Sequence, residues 1–587
     1  MDDSSQNNQE KRKNRKRKKT FLSNARKYAK KGTFGRGSHL SEDTYQYFVR
    51  VLEIYKEGFP SEEEKLMFAN NVFEQTENEE INYSSNQIGC RVIETLLPFA
   101  NAQVIERFTA AFSSNLRLYL SDRFASHVIQ ALLQICCEKS LSESEEPDAK
   151  AKYKEFTFKI SKFLLNNLED FISDTYANHI IRSVFESLAG IPKEVKNEPT
   201  KDKSEVKETE MPEEYTNIVR EYSERLIVWP QFKDLPYSEL SSGMLQILLK
   251  SLKKIDLKLL KKVQKKLLEE SFSVVSEADA EEKKLPDVFQ CKPATMLLEM
   301  AITVATEKTY TQIYAKCFVG NLVPLAKMRE CNFTVQKLLN ACMDKTEFEQ
   351  MFDELASSFE DILVCGHSGV ILAIGQTCKR LSAKQGNFIQ SLMNALHCSQ
   401  PVDRQNAFVS CVMRLVPYER LETVQQQHYF VNLHGSFILQ VMLEFNKPIK
   451  IINSILNMEG NDLKNLFCDS KGSHIMDSYM KSQYVGEKSR EKLIRKMQGT
   501  YQELAVSKYG SRSLEAILNV AQGKQKMQIM DELSYKDASW TSAEFGRIIA
   551  GKINIQLYKR NKDEWKTFIG KSEKTKNMFA DIIGENV

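Results

Sequence analysis

The sequence repeats itself at a nearly fixed interval, and this periodicity constrains the fold more than any other feature. A five-residue pattern recurs: a small or polar residue, any residue, two apolar residues, then a polar residue that is most often Glu or Gln. Eleven copies begin at Cys90, Ser126, Asn178, Ser242, Thr295, Asn332, Ser368, Ser436, Ser473, Ser511 and Gly546. The intervals between them are 36, 52, 64, 53, 37, 36, 68, 37, 38 and 35 residues. A fixed period with helical texture predicts a solenoid, in which each unit buries its apolar face only against its neighbours. Apolar residues between the copies keep the i, i+3, i+4 rhythm of helices, and no Val/Ile/Thr alternation marks a strand. The expected fold class is therefore all-α, a helical-repeat solenoid of about eleven repeats wound into a curved superhelix.

The array is not uniform. The intervals of 52, 64 and 53 contain segments rich in Glu, Lys and Ser and poor in aromatics, which predict flexible insertions near 138–151, 192–214 and 273–286. The interval of 68 has no such segment and leaves two options between 369 and 435, an unmarked unit or longer helices. Residues 1–40 hold 13 Lys and Arg, eight of them in KRKNRKRKK at 11–19, against Asp2, Asp3 and Glu10. A disordered basic tail is expected there, ahead of the array over 41–587. It would be read by a nuclear import receptor, by nucleic acid or by both, or else would only solubilise the chain. The whole chain has a formal charge of +4, so the +10 of this tail leaves −6 for the rest.

No stretch approaches the ~18 uncharged apolar residues of a spanning helix, and the N-terminus lacks an apolar export signal, so no membrane partner is expected. The 12 Cys show no CxxC pair and no Cys/His zinc spacing, and read as reduced thiols of an intracellular protein. Neither GxxxxGK, HExxH nor a zinc-deaminase spacing appears. No catalytic residue, metal or cofactor is assigned, and an enzyme is not expected.

The five positions have a geometry suited to bases. On a helix turning about 100° per residue, the first and fifth positions differ by about 40°, while the third and fourth point away from them. The apolar pair is expected in the core and the polar pair outside, with the second position flanking it. That arrangement suits one unstacked base per repeat, two side chains bonding its edge and a third stacking on its face. At the second position stand Arg91, His127, His179, Phe333, Phe437, His474, Arg512 and Arg547, against Gly243, Met296 and Gly369. A single copy fits a protein-binding scaffold equally well. The period and the stackable second positions, taken together, favour nucleic acid.

The signature resembles the edge-reading helix of the Pumilio family of RNA-binding repeats, and the irregular array behind a basic tail is similar to a branch of that family in small-subunit ribosome biogenesis. The similarity covers roughly residue 41 to the C-terminus. It implies base-edge contacts from Cys90 and Glu94, Ser126 and Gln130, Asn178 and Arg182, Ser242 and Gln246, Asn332 and Gln336, Ser436 and Gln440, Ser473 and Asp477, and Ser511 and Glu515. It implies stacking by Arg91, His127, His179, Phe333, Phe437, His474 and Arg512. In that family Asn with Gln implies uracil, Ser or Cys with Gln adenine, and Ser with Glu guanine. By position, Asn332/Gln336 would favour uracil, Ser126/Gln130 and Ser436/Gln440 adenine, and Ser511/Glu515 guanine. Asn178/Arg182, Thr295/Glu299, Ser368/Leu372, Ser473/Asp477 and Gly546/Ala550 depart from the code, so a few reading repeats are expected among others that only shape the surface. The resemblance further implies a nucleolar protein that binds pre-ribosomal RNA, single-stranded or partly structured, near the 3′ end of the small-subunit rRNA and assists or times its processing. Its expected partners are that RNA, an import receptor and proteins of the pre-ribosomal particle, with the chain itself a monomer. The alternatives are a helical-repeat protein-interaction scaffold and a relative that binds RNA without sequence preference.

Overall fold

The structure is a computed structural model and describes residues 21–29, 32, 34–192, 210–275, 285–427, 429–535 and 539–568. The chain divides into two compact units, Met1–Thr309 and Tyr310–Val587. Among the described residues the regular elements are helices, beside one antiparallel bridge between Gly37 and Asn86. No helix among them is long and apolar enough to cross a membrane.

Each signature lies at or near the start of a helix. In the first unit these are Gln87–Leu96, Ala125–Leu141, Ala177–Leu188, Glu239–Ile255 and Lys292–Val304. In the second they are Asn332–Ala341, Ser368–Arg380, Leu433–Leu443, Gly472–Lys481, Gly510–Val520 and Glu544–Ile553. Within each unit every signature helix packs directly on the next. The apolar pair drives this stacking: Val92 and Ile93, Val128 and Ile129, Leu297 and Leu298, Ile475 and Met476 are all fully buried. At about 1.5–3 kcal/mol for each such side chain, the layered contact is the main source of stability.

Two local devices set where these helices begin. Four residues ahead of the first position stands Asn86, Asp122, Asp174, Asn432 or Asp469, whose Oδ1 accepts backbone N–H groups of the first turn at 2.7–3.2 Å. One residue ahead there is often a glycine, because the chain passes too close for a side chain. A Cβ on Gly472 would lie 1.9 Å from the Leu466 carbonyl oxygen, and one on Gly89 2.2 Å from that of Tyr83. Gly546 stands in the same relation to Trp540, at 1.8 Å. The last copy therefore begins at Arg547, one residue later than expected. Ile548, expected in the core, is 55% exposed, whereas Ile549 is buried. Its degraded apolar run fitted either register, and the close backbone approach decides between them.

Several expected boundaries change. Segment 138–151 is helical except for residues 142–146, since Ala125–Leu141 and Pro147–Asn166 flank a short turn closed by a Lys139–Glu145 ion pair at 2.6 Å. Its charge belongs to solvated helix faces rather than to a flexible insertion. Of the other two segments, 193–209 and 276–284 lie outside the described residues, and the helix Glu213–Val228 begins just before 214. The interval of 68 hides no extra reading unit, because Ser368–Arg380 packs directly on Leu433–Leu443. Its length goes into the 3-10 turn Val402–Ala407 and the helix Tyr418–Gln427. At the N-terminus, residues 1–20 lie outside the described residues. Phe21–Ala29, expected within the tail, is a helix packed on Glu42–Glu57, with Tyr45 Oη donating to the Ala25 carbonyl at 3.4 Å and Arg26 paired with Glu53. The folded body thus reaches back to Phe21.

Candidate nucleic-acid interface

Except at Gly369, which is buried, the second positions are exposed or half-buried. Phe333 is 62% exposed, Met296 47% and Phe437 42%; Arg91, His127, His179 and Arg512 are exposed and His474 half-buried. Burying a phenylalanine contributes about 1.5–3 kcal/mol, and the fold leaves most of this unused at Phe333 and much of it at Phe437 while burying the two residues that follow each. Met296 and, in the corrected register, Ile548 join the row. The sequence reading set Met296 aside as unsuited to stacking, although its position was already the same as that of Phe333.

The first positions depart from the expectation that both polar residues face outward. Cys90, Ser126, Asn178, Ser242, Thr295, Asn332, Ser436 and Ser473 are buried, Ser368 and Ser511 are partly open, and Arg547 of the last copy is exposed. Cys90 Sγ donates to the Phe124 carbonyl at 3.1 Å, Ser242 Oγ to that of Pro293 at 2.6 Å, and Ser436 Oγ to that of Lys471 at 2.8 Å. Each acceptor lies two residues ahead of the next copy's first position. Ser368 makes the equivalent link to His434 Nδ1 at 2.8 Å. A single-helix wheel omits the neighbouring layer, which covers the small first residue and takes its hydrogen bond. Burial accordingly pushes the Cys90 thiol far above its usual value.

The fifth positions are half-buried in every copy up to Glu515. Gln246, Gln336 and Gln440 share one arrangement, in which Nε2 donates to the first-position oxygen of the same copy, Ser242 Oγ at 3.2 Å, Asn332 Oδ1 at 3.0 Å and Ser436 Oγ at 3.0 Å. The buried residue orients the amide, and the amide oxygen with its second N–H is left for a ligand. Other fifth positions are engaged. Gln130 donates to Ser183 Oγ at 2.7 Å; Arg182 donates from Nε to Asn178 Oδ1 and from Nη2 to the Leu240 carbonyl, both at 2.9 Å. Glu94 pairs with Arg91 at 3.3 Å, Asp477 accepts from Arg512 Nε at 2.9 Å and lies 3.8 Å from His474, and Glu515 pairs with Lys552 at 2.8 Å.

Adjacent copies interlock, because a fifth side chain can lie against the second position of the next copy. Asp477 on Arg512 is one case. Where the second position is glycine the approach is closest: a Cβ on Gly243 would meet the Arg182 guanidinium at 2.6–2.8 Å, and one on Gly369 the Gln336 amide at 2.8–3.0 Å. The side chains at copies 2 to 5 enclose a cavity of about 540 Å³, with Gln130, His179, Arg182, Gly243, Gln246 and Met296 in its wall. Partial desolvation of the ring against the cavity wall, then Arg182 and His127, hold the His179 imidazole below its ordinary pKa. Exposed flat or flexible groups alternating with oriented amides can hold splayed bases by their faces and edges.

Residues 78–548 match the NOP9-like PUF repeat domain. The chain is 26% identical to Nucleolar protein 9 of Mus musculus, covering 93% of this chain and 91% of the relative. It is 23% identical to Pumilio homolog 23 of Arabidopsis thaliana, over 93% of this chain and 75% of the relative. A solved structure of APUM23 with its insert region deleted and the RNA GGAAUUGACGG superposes with a TM-score of 0.68 at 21% identity, covering 90% of this chain and 99% of that one. That likeness is one of fold.

Proposed function

The chain belongs to the NOP9-like PUF repeat family, a nucleolar branch of the Pumilio repeat proteins, and on that premise we propose that it is a non-catalytic RNA-binding protein of the nucleolus. It grips a single-stranded or partly structured segment of pre-ribosomal RNA near the 3′ end of the small-subunit rRNA, and its occupancy delays nuclease processing there. The observation that carries this reading is that, within each unit, helices packed one on the next present exposed second-position side chains, Phe333 and Phe437 above all. Bases stacked on such groups contribute about 1–3 kcal/mol each, so three or four working repeats suffice without a basic body.

Base preference belongs to the copies with oriented amides. Asn332/Gln336 with Phe333 favours uracil and Ser436/Gln440 with Phe437 favours adenine. The engaged fifth positions at Asp477 and Glu515 must first release Arg512 and Lys552 to read a base. The basic residues at 11–19 add phosphate attraction and nuclear import. The test is crosslinking and sequencing of bound RNA for the wild type and for a variant with Ala at Asn332, Gln336, Ser511 and Glu515, with GGAAUUGACGG as the first probe in vitro. Altered sites in the variant support base reading, while unchanged sites leave RNA binding without sequence preference. Absence of any crosslink to Phe333 would favour the protein scaffold.

A further inference from the structure

A separate cavity of about 500 Å³ lies in the Tyr310–Val587 unit, between the helices Ile449–Asn457 and Glu487–Lys496 and the turn Val402–Ala407. The two helices pack on each other and contain none of the eleven signatures. Lys450, Lys492 and Lys496 line the cavity and no carboxylate does. Lys450 Nζ donates to Gln390 Oε1 at 3.0 Å and Lys496 Nζ to the Leu456 carbonyl at 2.6 Å. Both acceptors are neutral, so hydrogen bonds hold the two ammonium groups in place without cancelling their charge. Lys492 is exposed and has no ion pair among the described residues. The floor is built beforehand: Ser454 Oγ donates to the Asn406 carbonyl at 2.7 Å and accepts from the Val409 N–H at 3.0 Å, and Asn457 Nδ2 donates to Asn406 Oδ1 at 2.5 Å. Three like charges around one cavity with no carboxylate in its wall repel one another; Lys496 also caps the end of the helix Ile449–Asn457, whereas Lys492 has no such structural partner among the described residues.

We propose that this cavity binds phosphates of an RNA backbone without regard to sequence, as a second RNA contact apart from the signature helices. The inference rests on the RNA-binding reading above but on different residues. The cations are lysines from two helices, and no arginine lines the cavity. Lysine ammonium groups attract phosphate as point charges without the directional fork of arginine, which fits contact made without regard to sequence. Lys492 and Lys496 lie one turn apart, about 6 Å along the helix, and a nucleic-acid strand in a duplex carries a phosphate about every 3.4 Å of its axis. Repeated charge on the ligand thus meets repeated charge on the protein.

The test titrates the full chain with labelled homopolymeric uridylate RNA over a range of salt. The variant Lys450→Gln, Lys492→Gln, Lys496→Gln is expected to bind at least tenfold more weakly at low salt. Its slope of log affinity against log salt should be shallower by about 2, at about 0.7 per lost phosphate contact. Lys496 also holds a backbone carbonyl, so Lys450→Gln, Lys492→Gln is made in parallel and should show about two-thirds of the slope change. Wild-type behaviour of this double variant overturns the proposal, as does lysine-dependent binding of a phosphoserine peptide with no lysine-dependent binding of RNA. A third variant, Gln336→Ala, Gln440→Ala, titrated with uridylate and with adenylate homopolymers, separates the two readings. It should lose base preference and retain the lysine-dependent slope; if base preference survives it, the signature reading fails while the cavity is still tested by its own lysines.

Discussion

At the scale of single residues, stability and binding come apart, and the glycines at second positions show how. Alanine at position 369 removes the entropic cost of a helical glycine, about 0.5–1 kcal/mol. Its Cβ would meet the end of the Gln336 side chain, which is flexible and can move aside. Gly369→Ala is therefore expected to melt at or above the wild-type temperature while weakening preference for uracil at the Asn332/Gln336 copy, as read by paired melting and binding curves. Phe333→Ala should likewise leave stability within about 0.5 kcal/mol but cost about 1–3 kcal/mol of RNA affinity, roughly 5- to 150-fold. A loss of stability as large as the loss of affinity would return Phe333 to a packing role. His397 offers a test of electrostatics. Its Nδ1 lies 3.0 Å from Glu419 and its Nε2 3.0 Å from Glu360, and both carboxylates hold its pKa above the ordinary value. A raised pKa stabilises fully below the unfolded value of about 6.5 and the gain is lost as pH rises through the folded value. The ring is 40% exposed, so the gain is small. The stability difference between wild type and His397→Gln should shrink as pH rises from 6 to 8; a difference that grows over that range contradicts the sign.

At the scale of elements, the first-position residues Cys90, Ser242, Ser368 and Ser436 act as latches between layers. Ser436→Ala removes the donor to the Lys471 carbonyl and should cost about 1 kcal/mol. Ser473 occupies the same position with a buried Oγ that has no partner, so Ser473→Ala should be neutral or stabilising in the same denaturation assay. This division also marks what the sequence could disclose. The apolar pairs, the helical period and the exposed second positions were legible because each depends on one helix and its spacing. The burial of Ser242 or Ser436 was not, because the group that covers it comes from the next layer, 35 to 51 residues on. The start of the last copy was ambiguous for a related reason, since only the approach of Trp540 to Gly546 fixes it. The charged stretch at 138–151 resembles a linker in composition, but Lys139 and Glu145 pair across a turn between two helices. One further signal was present and unread: the Asn or Asp four residues ahead of five of the copies, at 86, 122, 174, 432 and 469.

At the scale of the whole molecule, charge and fold are divided along the chain. Outside the first 40 residues the net charge is −6, so stacking and edge contacts must supply most of the affinity of the repeat body. The eight Lys and Arg at 11–19 are placed to add a salt-sensitive part, at about 0.7 in slope for each phosphate neutralised on a single strand. Removing residues 1–20 is expected to flatten the dependence of log affinity on log salt by several units while leaving base preference and the melting temperature unchanged. Removing residues 1–40 should do more. It deletes the Ala25 carbonyl that accepts from Tyr45, the Ser38 carbonyl held by Asn86 Nδ2 at 2.8 Å, and the Arg36 carbonyl that accepts from the Gln87 N–H at 2.9 Å. The last two lie at the entry to the first signature helix, whose start Asn86 also caps. The longer truncation should therefore melt lower and weaken stacking at Arg91, an effect that salt titration alone does not reproduce. Equal melting of the two truncated proteins would place the boundary of the folded body at residue 40 after all, and would make residues 21–40 an accessory of the tail rather than the first layer of the array.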